Sequence, residues 1–133
     1  EISYENLINV NESKYELDKF KFEVIYTPGH RNDLVTYYFY EDNIMFTGDF
    51  LFRNSIGRTD LEYSNFNDMI FSLKKIYKYN DEIIIYPGHG RETTLDYEKK
   101  NTSRIHRGTS KKQPKGCCYW HLSCRCFCCC RSG

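Results

Sequence analysis

Two short stretches of this chain end in the same way. Pro28-Gly29-His30 and Pro87-Gly88-His89 each follow a strand-like run, "FEVIYT" and "EIIIY". A third run, "IMFTG", ends at Gly48 and is followed by Asp49. Proline restricts φ, and glycine lets the backbone pass close to a bound group, so each turn holds its side chain at a sheet rim. Two imidazoles and a carboxylate are ligand types that zinc and non-haem iron take. A single histidine in a turn is more often a hydrogen-bonded surface residue. The matched pair of turns, together with the strand-ending Gly-Asp, favours metal chemistry at His30, Asp49 and His89.

The elements that must position these residues are legible in outline. Residues 14–19 and 21–27 read as two strands, the second with the period of two that a sheet imposes. The β-branched and aromatic run 34–40 predicts a third strand, and Glu41-Asp42-Asn43 turns it into a return strand over 44–48. A polar, glycine-containing loop follows over 50–64. Phe66, Met69, Ile70, Leu73, Ile76 and Tyr77 then recur at spacings of three and four, the stripe of a core-packed helix capped by Ser64 or Asn65. Residues 82–86 predict a strand buried on both faces. A last helix over about 95–100 is capped by Thr93 or Thr94. Strands first, then helix, strand and helix, make an α/β (α+β) pattern with a hairpin-rich sheet covered on one face.

Composition divides the chain. Up to Ser103 there are 12 Lys and Arg against 18 Asp and Glu, a balance of −6; from Arg104 onward there are 7 basic and no acidic residues. All seven cysteines and the single tryptophan lie in that second piece. The acidic body has the wrong sign for nucleic acid. No apolar run approaches the roughly 20 residues that span a bilayer. A cysteine-free body fits a reducing compartment, so a cytoplasmic location is expected.

"TPGH", "FTGD", "SIGRTD" and "YPGHG" followed by "TT" and a glutamate resemble the second half of the metallo-β-lactamase-fold hydrolases. Within that family the chain is most similar to the glyoxalase II-like (hydroxyacylglutathione hydrolase-like) members, from about Lys14 to Asn101. The resemblance implies that His30 binds one metal, that Asp49 bridges two, and that His89 binds the second. It implies two divalent ions, zinc first, with iron or manganese as alternatives. A water shared by the ions would become a hydroxide and attack the carbonyl of a small thioester such as an acyl-glutathione. No catalytic residue is assigned beyond the metal ligands. Arg58 and Asp60 fall in a loop near the site, either touching substrate or forming a supporting network. A persulfide dioxygenase, a lactonase and a phosphodiester hydrolase are alternatives on the same fold.

The chain also departs from the pattern. The family draws its other ligands from an upstream His-x-His-x-Asp-His loop, and no histidine precedes His30. Residues 1–103 are therefore expected to be the C-terminal half of an αββα sandwich. Thioester hydrolysis belongs to the intact parent. The chain alone is expected to be an inactive fragment that needs a complementing N-terminal half. Residues 104–133 form a basic, cysteine-rich tail, expected to be disordered and foreign to the fold. Cys117, Cys118, His121, Cys124 and Cys126 are ligand types for zinc, but no matching pair of C-x-x-C spacings appears.

Overall fold

Short polar turns join the first four strand-like runs, so consecutive strands lie side by side and antiparallel. The computed structural model describes residues 9–102. Its strands are β1 (Ser13–Leu17), β2 (Phe20–Tyr26), β3 (Val35–Phe39) and β4 (Ile44–Gly48), then β5 (Leu51–Phe52) and β6 (Ser55–Ile56). Helix α1 (Phe66–Ile76), β7 (Ile84–Pro87), β8 (Thr93–Thr94) and helix α2 (Leu95–Asn101) follow. The main sheet has the order β1-β2-β3-β4-β7-β8. Only β4 and β7 run parallel, with Ile44 opposite Ile84 and Phe46 opposite Tyr86. Helix α1 is the crossover between them, as a parallel pair requires. The sheet is mixed and the fold is α+β, in agreement with the sequence pattern. The expectations for residues 104–133 lie outside the described residues.

Helix α1 begins at Asn65, whose side chain accepts hydrogen bonds from the amides of Asn67 (2.8 Å) and Asp68 (3.1 Å). Ser64 instead bonds Leu61. Met69, Leu73 and Ile76 of its apolar stripe are fully buried and pack with Ile25, Met45 and Ile85 from one face of the sheet. Thr94 caps α2, accepting from the Tyr97 amide.

The other face of the sheet is aromatic. Phe22, Phe39, Phe46 and Tyr86 form a ladder across β2, β3, β4 and β7, with ring centroids 5.4 to 5.7 Å apart at each step. Phe46 and Tyr86 keep 46% and 39% of their surface exposed. Residues 82–86 are consequently not buried on both faces. Ile83 and Ile85 are fully buried, whereas Ile84 and Tyr86 point to the open side. The apolar run expected from a doubly covered strand is one covered face plus one aromatic face.

Residues 50–64 are also more ordered than their polarity predicts. Leu51 and Phe52 are buried and pair with Ile56 and Ser55, and Asn54 makes the turn at φ 63°. That turn rests on Glu98, a fully buried carboxylate of α2. Glu98 accepts hydrogen bonds from the Asn54 amide (3.1 Å), the Thr93 hydroxyl (2.7 Å) and the Thr102 hydroxyl (2.5 Å). A buried carboxyl group is tolerated when its oxygens are satisfied in this way.

Candidate metal centre

Three turns meet at one rim of the sheet. The 28–30 turn leaves β2 and is tied to helix α1. The Ser72 hydroxyl donates to the Pro28 carbonyl at 2.6 Å, and the Asn65 amide donates to the Gly29 carbonyl at 2.8 Å. Asp49 follows β4, and the 87–89 turn follows β7. Because β4 and β7 are parallel neighbours, both ends emerge together, and the Gly88 amide donates to the Gly48 carbonyl at 2.8 Å.

The two carboxylate oxygens of Asp49 face different imidazoles. His30 Nε2 stands 3.9 Å from Oδ2, and His89 Nε2 stands 3.7 Å from Oδ1. Both distances are too long for hydrogen bonds. Both are a few tenths of an ångström wider than the roughly 3.4 Å that two bonds of about 2.1 Å make at a tetrahedral angle, a gap that small side-chain rotations close. The donor chemistry and spacing therefore fit two ions sharing Asp49, with two protein donors each. Among the described residues no group of three or more His, Cys, Asp or Glu is arranged to hold one ion.

Each side chain is held differently. The His30 side chain is 17% exposed, and its Nδ1 lies 3.0 Å from the Arg58 carbonyl. The His89 side chain is 71% exposed and lies stacked on Phe52, with ring centroids 4.3 Å apart. Asp49 is confined by two glycines. A Cβ on Gly88 would sit 2.5 Å from Asp49 Oδ1, and one on Gly57 would sit 2.0 Å from the Asp49 carbonyl oxygen and 2.9 Å from His30 Cβ. Arg58 donates to both oxygens of Asp60 through Nε (2.9 Å) and Nη2 (3.0 Å).

The structure thus brings His30, Asp49 and His89 together and sets the Arg58 carbonyl against His30. Phe52 and Gly57 are contributors that the sequence reading missed. The signal for Phe52 was its place in the apolar "FLF" run directly after Asp49. Gly57 stood in the quoted "SIGRTD", but nothing in one sequence marks a glycine as close to Asp49.

The sequence profile of the Metallo-beta-lactamase superfamily matches residues 10–89. A probable metallo-hydrolase of Streptococcus pyogenes is 42% identical over 93 residues, covering 69% of this chain and 40% of that protein. The hydroxyacylglutathione hydrolase GloC of Haemophilus influenzae is 40% identical over 87 residues, covering 65% of this chain and 41% of GloC. Among solved structures, TTHA1623 in a di-iron-bound form superposes with a TM-score of 0.65 at 35% identity, covering 71% of this chain and 46% of that one. The chain therefore spans about two-fifths of the length of these curated relatives. No helix among the described residues is long and apolar enough to cross a membrane.

Proposed function

The chain belongs to the metallo-β-lactamase superfamily, and from that premise we propose that it supplies one half of a two-metal centre that hydrolyses thioesters of the acyl-glutathione type. The observation that carries this reading is Asp49 facing a different imidazole with each of its oxygens. His30 with Asp49 would hold one ion, and Asp49 with His89 the other. Imidazole and carboxylate suit zinc, and the di-iron-bound relative supports iron as an alternative. When bound, such ions supply a water acidified toward neutral pH and a positive field for the developing oxyanion. The thioester substrate is supported by the name of the Haemophilus relative.

Two donors per ion are one short of the three that a catalytic zinc site uses beside its water. The reading therefore requires further donors from polypeptide other than the described residues, and the curated relatives are longer than the part this chain matches. The natural seat of that polypeptide is the open aromatic face, because that face ends at the rim where the three turns meet.

A chimera tests the reading. The part of the Haemophilus enzyme that this chain does not span is joined to residues 9–102, and hydrolysis of a hydroxyacylglutathione is followed. The expected result is turnover that falls at least about 100-fold on Asp49→Ala. Equal turnover in the Asp49→Ala chimera contradicts the reading. Oxygen uptake with a glutathione persulfide in place of hydrolysis would move it to the dioxygenase.

A further inference from the structure

We infer that the Arg58-Asp60 ion pair is a positioning device that fixes His30 as one tautomer, with its proton on Nδ1 and its lone pair on Nε2. The importance of that tautomer for catalysis rests on the metal reading above; its existence does not.

His30 Nδ1 lies 3.0 Å from the Arg58 carbonyl oxygen. A carbonyl only accepts, so a neutral ring must carry its proton on Nδ1 to make this bond. The opposing influence is Asp49. Its carboxylate lies 3.9 Å from Nε2 and favours a proton on that nitrogen. The two differ in kind. The first is a hydrogen bond at ordinary length on a mostly buried ring; the second is a charge beyond hydrogen-bond distance on a side chain that is 46% exposed, where solvent weakens it. The hydrogen bond wins as long as the carbonyl stays in place.

Residues 57–60 keep it there. Arg58 grips Asp60 through two parallel N–H···O bonds, which close the loop on itself around Thr59. The Arg58 side chain is 51% exposed, so solvent weakens this pair too, but its bidentate geometry fixes the direction of the loop better than a single contact does. Gly57 lets the same loop press against the Asp49 backbone and the His30 Cβ. The loop therefore aims a carbonyl at Nδ1 and leaves a bare lone pair on Nε2, facing Asp49, which is the form that ligates a cation. Among the described residues no hydrogen bond holds the His89 ring in this way. That ring is held by Phe52, and stacking does not select a tautomer.

The test is long-range nitrogen-proton NMR of the full chain, chelator-treated and recorded at a pH where the spectrum itself shows no imidazolium signal. The His30 signals are assigned by their loss in His30→Gln. The expected result is a pyrrole-type shift at His30 Nδ1 and a pyridine-type shift at Nε2. Asp60→Asn and Arg58→Lys should move the proton toward Nε2 by about tenfold in population. The His89 signals, with no loop bond to lose, should stay where they are. Methyl signals of the buried Met45 and Met69 report the fold in the same samples. If Asp60→Asn unfolds the chain, Arg58→Lys, which keeps a cation beside Asp60, carries the test.

A wild-type His30 protonated on Nε2, or averaged between the two forms, overturns the inference. So does a folded variant whose His30 tautomer matches the wild type. A locked His30 in a chimera that takes up no zinc leaves this inference standing and counts against the hydrolase reading. Zinc uptake by a chimera whose His30 is unlocked does the reverse.

Discussion

Asp49 works in a space that two glycines leave open, and this makes residue-scale behaviour specific. In Gly88→Ala the new Cβ meets Asp49 Oδ1 at 2.5 Å, the end of a side chain that can swing aside, and the Gly48 backbone at 3.1 Å, a milder contact, so the fold should survive with a small loss while the carboxylate turns away from His89. The expected outcome is a chimera that stays folded with a modestly lowered melting temperature and loses the ion on the His89 side, read by metal analysis beside thermal unfolding. In Gly57→Ala the new atom meets the backbone oxygen of Asp49 instead, which has nowhere to go. That substitution should cost about 1–3 kcal/mol of stability, measured by denaturant titration. His30, Asp49 and His89 were legible because their side-chain types and turn residues announce them. The Arg58 carbonyl was not, since a backbone acceptor has no letter of its own. Phe52 was hidden by its place in a stretch that reads as a loop.

At the scale of elements, Glu98 joins the β5–β6 turn, β8 and the end of α2 through one buried carboxylate. Glu98→Gln keeps the volume but turns one accepting oxygen into a donor. The expected loss is about 1–3 kcal/mol, again by denaturant titration. Part of the alkaline stability lies at the end of α1 and just beyond it. Tyr77 and Tyr79 are both held well above the usual tyrosine range. Burial is the main cause for each, with Glu98 next for Tyr77 and Glu23 next for Tyr79. The folded chain therefore keeps protons that the unfolded chain gives up above about pH 10. Their stabilising contribution is complete below that pH and is lost as pH rises beyond it. Tyr79→Phe should make the fall in stability above pH 10 shallower, and an unchanged slope would contradict the assignment. Helix α1 was readable because its stripe is long and strictly periodic. The β5–β6 hairpin was not, since two-residue strands are too short to show a period and owe their order to Glu98, more than 40 residues away in sequence.

At the scale of the whole molecule, one sheet face is covered by helix and the other is aromatic and open. The alternation in β2 was visible in the sequence, but β7 read as a doubly buried strand because Ile83, Ile84 and Ile85 are chemically alike. Only the pairing of β7 with β4 shows which of them faces outward. An open face of this kind favours self-association. Sedimentation of the chain alone should therefore depend on concentration, and Phe46→Lys with Tyr86→Lys should reduce that dependence.

The most direct test of this account is the metal content of the chimera described above, measured by elemental analysis after zinc loading and desalting, with and without Asp49→Asn. A centre shared through Asp49 predicts two zinc ions per wild-type chimera and loss of both, or of all but a weakly held one, in the variant. Two tightly held ions in the Asp49→Asn chimera would contradict it, because no residue placed at that rim could then be bridging them.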